Sequence, residues 1–210
     1  MNYTIKYKNE SLFMKILGYI LFFNPKFMTE FTTTIGNTIY FPNRERVKAY
    51  KAVYEMVLCH EIVHMYDESK KTKFLFKFEY LLPQILSLLA IPLLFIFSWK
   101  AALIPLVFLT PLPAFFRKEY EKRGYVMSLY AKNRIYKAFG ADPKLKEEAS
   151  FIVKQFTGPT YYFMWPIENM SSFFEDQVIK IEAGDRSYFD AELYDIVDKE
   201  IDQFLLDNKK

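Results

Sequence analysis

The order of apolar and polar residues divides the chain into helical stretches, one extended stretch and a long apolar block. The run from Leu12 to Phe23, broken by Lys15, is short for a membrane span and stops at Asn24-Pro25. It predicts an amphipathic or partly buried helix. With no small-residue cleavage site after it, it is not expected to be a signal peptide. Phe31 to Phe41 is dominated by Thr, Ile, Tyr and Phe, which favour a strand, with Gly36-Asn37 as a hairpin turn or a bulge. Asn43 is a candidate N-cap. From Arg44 to about Ser69 the apolar residues Val47, Tyr50, Val53, Tyr54, Val57 and Leu58 recur at helical spacing.

The pattern then changes. Tyr80 to Trp99 carries no charge, Lys100 interrupts, and Ala101 to Phe116 is again uncharged. The first segment is long enough to cross a bilayer as one helix and the second is marginal. Pro83, Pro92, Pro105, Pro111 and Pro113 are expected to kink or end helices there. Two placements compete. One is a membrane hairpin turning at Trp99-Lys100, its ends on the cytoplasmic side, flanked by Lys70, Lys71, Lys73 and Lys77 before and Arg117, Lys118, Lys122 and Arg123 after. The other is a pair of hydrophobic helices buried inside a soluble or assembled protein. The membrane placement is preferred.

Beyond the block, Phe116 to Phe139 reads as a helix stopped by Gly140, and Pro143 to Phe156 as another. Thr157 to Pro166 is an aromatic loop. Ile167 to Ile181 looks helical, Ala183-Gly184-Asp185 is a break, and Asp190 to Leu206 is an acidic amphipathic helix. Its apolar side carries Leu193, Ile196, Val197, Ile201, Phe204 and Leu205, so it is expected to pack. The fold class is therefore α+β, mostly helical, with a small sheet. One domain covers 1–210, with 80–116 as a hydrophobic hairpin insertion.

Composition narrows the function. Residues are 51% hydrophobic and 19% aromatic, which excludes disorder over most of the chain. A net charge of +3 is too small to argue for nucleic acid. The single cysteine, Cys59, excludes an internal disulfide and is expected to be a small buried residue.

The chain's two histidines lie together in Cys59-His60-Glu61-Ile62-Val63-His64-Met65-Tyr66-Asp67. Residues four apart share a helix face, so His60 and His64 can reach one ion. Glu61 stands beside them, where it can hold and deprotonate water. Asp67 falls on the same face, as an acceptor orienting a histidine or as a further ligand.

The H-E-x-x-H pattern resembles the zincin class of zinc metallopeptidases. The resemblance implies a zinc-dependent peptidase acting on a peptide or protein, with Zn2+ activating a water and Glu61 as general base. It also implies an exposed edge strand just before the motif helix, a place that 31–41 fills. In the gluzincin type, the third ligand is a Glu on a later helix, followed three residues on by a small residue because the helices pack closely. Glu121 with Gly124 fits that pattern. Glu119, followed by Lys122, fits less well, and Asp67 is the other alternative. The usual Glu-x-x-Ala-Asp reads Glu121-Lys122-Arg123-Gly124-Tyr125 here, similar to an Arg-Gly-Tyr version in metallopeptidases of bacteriophages. Motif helix, apolar hairpin, then Glu helix is the order of the membrane-embedded gluzincins.

Tyr125, Tyr161 and Tyr162 are candidate oxyanion donors. The competing function is a structural or membrane-anchoring component, such as one of a phage virion, that keeps a zinc site without proteolysis. Structural zinc sites are usually closed by four protein ligands, and here three are expected, with a base beside them.

Overall fold

A computed structural model describes residues 2–22, 24, 26–110, 112–158 and 170–208. It shows a mostly helical α+β fold with a three-stranded sheet. Strand β1 (Thr4–Tyr7) precedes helix α1 (Leu12–Ile20), which Ser11 caps by accepting from the Met14 amide. Strands β2 (Thr33–Ile35) and β3 (Thr38–Phe41) form a hairpin, so Gly36-Asn37 is a turn and not a bulge, with Thr34 opposite Ile39. The turn depends on Gly36, whose φ of +57° is left-handed and disfavours a side chain. The strand order is β1-β3-β2, so β2 is an edge and β1 runs parallel to β3. The sequence pattern did not reveal β1: Thr4-Ile5-Lys6-Tyr7 is short, mostly exposed, and becomes a strand only by pairing with β3.

The periodic stretch from Arg44 is two helices, α2 (Arg44–Ala49) and α3 (Lys51–Ser69), broken at Tyr50. Asn43 caps the first, its side chain accepting from the Arg46 amide at 2.7 Å. Helix α3 is not a one-sided helix. Every residue from Leu58 to Tyr66 is buried, because the sheet, α7 (Phe115–Ala138) and α10 (Ala191–Asn208) all pack around it. The sheet contact is made by Phe41 of β3, edge-on to Tyr54 at 5.2 Å. The expected inward stripe begins lower than its periodicity implied, since Tyr50 and Val53 are exposed.

The apolar block is not a pair of straight helices. Helix α4 (Lys73–Leu81) is followed by a 3-10 turn (Gln84–Leu89), α5 (Ala90–Ile96), α6 (Trp99–Leu103) and a second 3-10 turn (Ile104–Leu109). The two 3-10 turns pack together, as do α5 and α6, so a hairpin forms with its tip at Phe97-Ser98. Among the described residues no single helix is long and apolar enough to cross a membrane; Lys73–Leu81 and Gln84–Ile96 qualify only as a pair bent by 92°. Proline explains part of this. Pro83 follows α4, and Pro105 opens the second 3-10 turn.

The flanking basic residues are largely paired within the fold rather than free for lipid. Lys71 meets Glu79 at 2.6 Å, Lys118 meets Glu119 at 2.7 Å and Arg123 meets Asp67 at 2.9 Å.

Helices α8 (Leu145–Thr157) and α9 (Met170–Glu182) cover α7, with Phe156 and Phe174 in contact at 5.8 Å. Helix α10 packs as its pattern predicts, burying Leu193, Val197, Ile201 and Leu205.

Candidate metal centre

Helices α3 and α7 lie side by side in the core, and the candidate site is formed where they touch. His60 and His64 face α7 from successive turns of α3, and Glu121 faces them from α7. One ligand atom from each lies within 4.8 Å of the others. His60 Nε2 and His64 Nε2 are 3.0 Å apart. Glu121 Oε2 is 3.3 Å from His60 Nε2, and Oε1 is 3.6 Å from His64 Nε2. A tetrahedral zinc with bonds of about 2.0–2.1 Å separates its ligands by about 3.3 Å, so the cluster fits such an ion.

All three side chains are buried, and Glu121 Oε2 and His64 Nδ1 have no hydrogen-bond partner. An unsatisfied buried carboxylate oxygen beside the His60 imidazole is costly unless something binds it. A metal ion would satisfy it.

Close approach of the two helices requires Gly124, one turn beyond Glu121. A Cβ there would stand 2.5 Å from His60 Nε2. The ring of Tyr125, next along, meets His60 edge-on at 4.8 Å. Ser128, a further turn along, places Oγ 3.4 Å from His60 Nδ1. Its hydroxyl donates to Gly124 O, so it can accept from an Nδ1–H and leave Nε2 as the lone-pair nitrogen.

The charges are arranged accordingly. Burial would raise the pKa of Glu121, but His60, His64 and the Tyr80 hydroxyl outweigh it and hold the carboxyl down at about 2. Burial works against a charged His60, yet the Glu121 carboxylate beside it pulls its pKa up. At His64 burial prevails and the pKa is pushed down.

Glu61 reaches the sheet. Its Oε2 accepts from Thr34 Oγ1 of the edge strand at 2.7 Å. The motif glutamate thus lies between the histidine pair and β2. Lys8, fully buried after β1, donates to Phe27 O at 2.6 Å. Burial pushes its ammonium down to about 8, opposed by the charge of Glu61. A surface groove of about 240 Å3 is lined by Thr32, Tyr50, Val53, Tyr54 and Val57 among others. Val57 is one turn before Glu61 on α3, and Thr32 immediately precedes β2.

Of the alternative ligands, Glu119 is 43% exposed and pairs with Lys118 and Lys122. Asp67 neither joins the cluster nor orients a histidine. Both its oxygens accept from Arg123, Nε and Nη2 each at 2.9 Å, because that residue, two after Glu121, reaches across from α7. Tyr161 and Tyr162 lie outside the described residues.

Two contributors are not among the residues the sequence singled out. Tyr80, at the end of α4, donates its hydroxyl to Glu121 Oε1 and faces His64 edge-on at 6.0 Å. A tyrosine opening an apolar block reads as packing. Ser128 could have been found by spacing, since it shares a helix face with Glu121 and Gly124.

No protein-family model, no curated protein and no solved structure matches the chain.

Proposed function

We propose that the chain is a zinc-dependent peptidase whose metal is held by His60, His64 and Glu121. The observation that carries this reading is the buried His-His-Glu cluster with the motif Glu61 next to it, tied to an edge strand. Three protein ligands leave room for a further one, the arrangement of catalytic rather than structural zinc. Zn2+ bound there would polarise a carbonyl and make water more acidic.

Glu61 is the general base. Thr34 occupies its Oε2, which fixes the carboxylate and leaves Oε1 to accept a proton from the attacking water and pass it to the leaving amine. The outer edge of β2 presents main-chain groups along which an extended peptide can align, and the groove beside Val53 and Val57 can receive an apolar side chain.

The test is zinc content and peptide hydrolysis in the wild type beside Glu61→Gln and His64→Ala. Glu61→Gln is expected to keep zinc and abolish turnover, and His64→Ala to lose the metal. Full hydrolysis by Glu61→Gln sinks the assigned role. Absence of zinc in the wild type sinks the catalytic reading.

We infer, further, that the hairpin 80–116 seats this peptidase on a membrane. Leu88, Leu89, Ile91, Leu94, Phe95, Ile96, Phe97 and Trp99 are all exposed on it, a larger apolar surface than water tolerates without reason. The bent course of the hairpin favours insertion from one face.

A further inference from the structure

The two oxygens of Glu121 are treated differently by the fold. Oε1 accepts the Tyr80 hydroxyl, whereas Oε2, buried and without a hydrogen-bond partner, points at His60 Nε2 from 3.3 Å. Carboxylates that ligate metals are commonly held by an outer hydrogen bond on the oxygen the metal does not use. Tyr80 is itself held in place. Its ring stacks on Phe76 at 6.2 Å and on Tyr120 at 6.3 Å, the residue next to Glu121. Immediately past α4, Gln84 Oε1 accepts from Arg117 Nη2 at 2.5 Å, joining the two ends of the hairpin below the site. The tyrosine hydroxyl is therefore aimed by packing and not by chance rotation.

We propose that Tyr80 is a positioning residue for the metal centre, committing Glu121 to bind through Oε2 alone and keeping one coordination position free. This inference rests on the zinc-site reading above. Its content is separate: a side chain from the base of the apolar hairpin sets how Glu121 coordinates. Without the hydroxyl, Oε1 is released and can approach the metal as well, since it already stands 3.6 Å from His64 Nε2. The centre then changes from an open one-oxygen arrangement to a two-oxygen one, and the carboxylate loses its orientation.

The experiment uses the full chain and Tyr80→Phe, which keeps the ring and its stacking and removes only the hydroxyl. Zinc affinity is measured by competition with a chromophoric chelator. Co2+ alone is then titrated in as a visible-absorption probe of coordination number, and far-UV circular dichroism checks that the metal-free fold is retained. The expected result is about 10- to 100-fold weaker zinc binding, with a weaker Co2+ visible band as coordination rises above four. Unchanged affinity and an unchanged Co2+ spectrum overturn the role of Tyr80 while leaving the zinc site standing. A wild type that binds neither metal overturns both readings at once, and His64→Ala gives the baseline for that comparison. If Tyr80→Phe loses its fold without metal, Tyr80 is a structural residue and the proposal is overturned.

Discussion

Gly124 and His60 are in direct contact across the two central helices, and a methyl group on Gly124 would stand 2.5 Å from Nε2 of His60, the nitrogen that faces His64 and Glu121. No main-chain strain is involved, since Gly124 lies within helix α7 and only three other glycines in the described structure have positive φ. In open helix, Ala is preferred to Gly by about 1 kcal/mol. Overpacking costs about 1–3 kcal/mol. Gly124→Ala is therefore expected to lower Tm and to reduce zinc affinity at least about tenfold by displacing His60. In a His60→Ala background the same substitution should raise Tm. The reversal of sign, read as a double-mutant cycle in the metal-free protein, isolates the contact. Equal effects in both backgrounds would show that the two residues do not touch.

The His-Glu-His spacing and the small residue after Glu121 were readable because each encodes a local requirement. Two imidazoles one turn apart must share a face, and a close helix crossing needs a missing side chain. The hairpin at Gly36-Asn37 and the cap at Asn43 belong to the same class. Features that depend on distant partners were not readable. Strand β1 exists by pairing with β3, the Tyr80 contact spans α4 to α7, and Asp67 is claimed by Arg123 rather than by a histidine. Periodicity also misjudged α3, because a helix packed on all sides has no polar face to mark its orientation. In the apolar block, hydropathy favoured lipid over burial and could not foresee the 92° bend.

The Asp67–Arg123 pair is expected to stabilise the α3–α7 contact without touching the metal. Asp67 is largely buried and Arg123 is about a third exposed, so solvent screening reduces what the pair contributes. Asp67→Asn should lower stability by on the order of 1–2 kcal/mol in chemical denaturation, and zinc stoichiometry should be unchanged. Loss of zinc from a folded Asp67→Asn protein would return this carboxylate to the ligand set.

The proposed membrane seating is tested at the tip of the hairpin. Phe95, Ile96 and Phe97 are 82%, 69% and 71% exposed, so replacing all three by Ser removes little packing from the fold. The wild type is expected to float with phosphatidylcholine vesicles in a density gradient. The triple variant should shift to the aqueous fraction by at least about tenfold, given about 25 cal/mol per Å2 of apolar surface withdrawn from water. Zinc content should stay the same. If the wild type stays in the aqueous fraction, the bilayer reading fails and the apolar hairpin is a surface for another protein.

The last prediction concerns Glu55, which lies on α3 two turns from the metal cluster, against α10. Burial first, and the Glu200 carboxylate second, push its pKa from 4.5 up to about 7. Tyr3 and Cys59 also face this pocket. Both have their pKa raised by burial and by the surrounding carboxylates, and Tyr3 donates to Glu200 at 2.8 Å. Lys51, one turn before Glu55, is turned to Asn208 instead. Since the folded pKa lies above the unfolded one, the folded state holds a proton that the unfolded chain has lost between pH 4.5 and about 7. Stability must then fall as pH rises through that window, and the loss is complete above it. Glu55→Gln removes the ionisation. Melting of the metal-free protein should coincide for the two chains at about pH 4 and diverge toward pH 8, where the variant is more stable by on the order of 1–2 kcal/mol after allowance for screening. A constant gap across that range would mean that Glu55 titrates alike in the folded and unfolded chains and that its pocket is wetter than its packing against α10 implies.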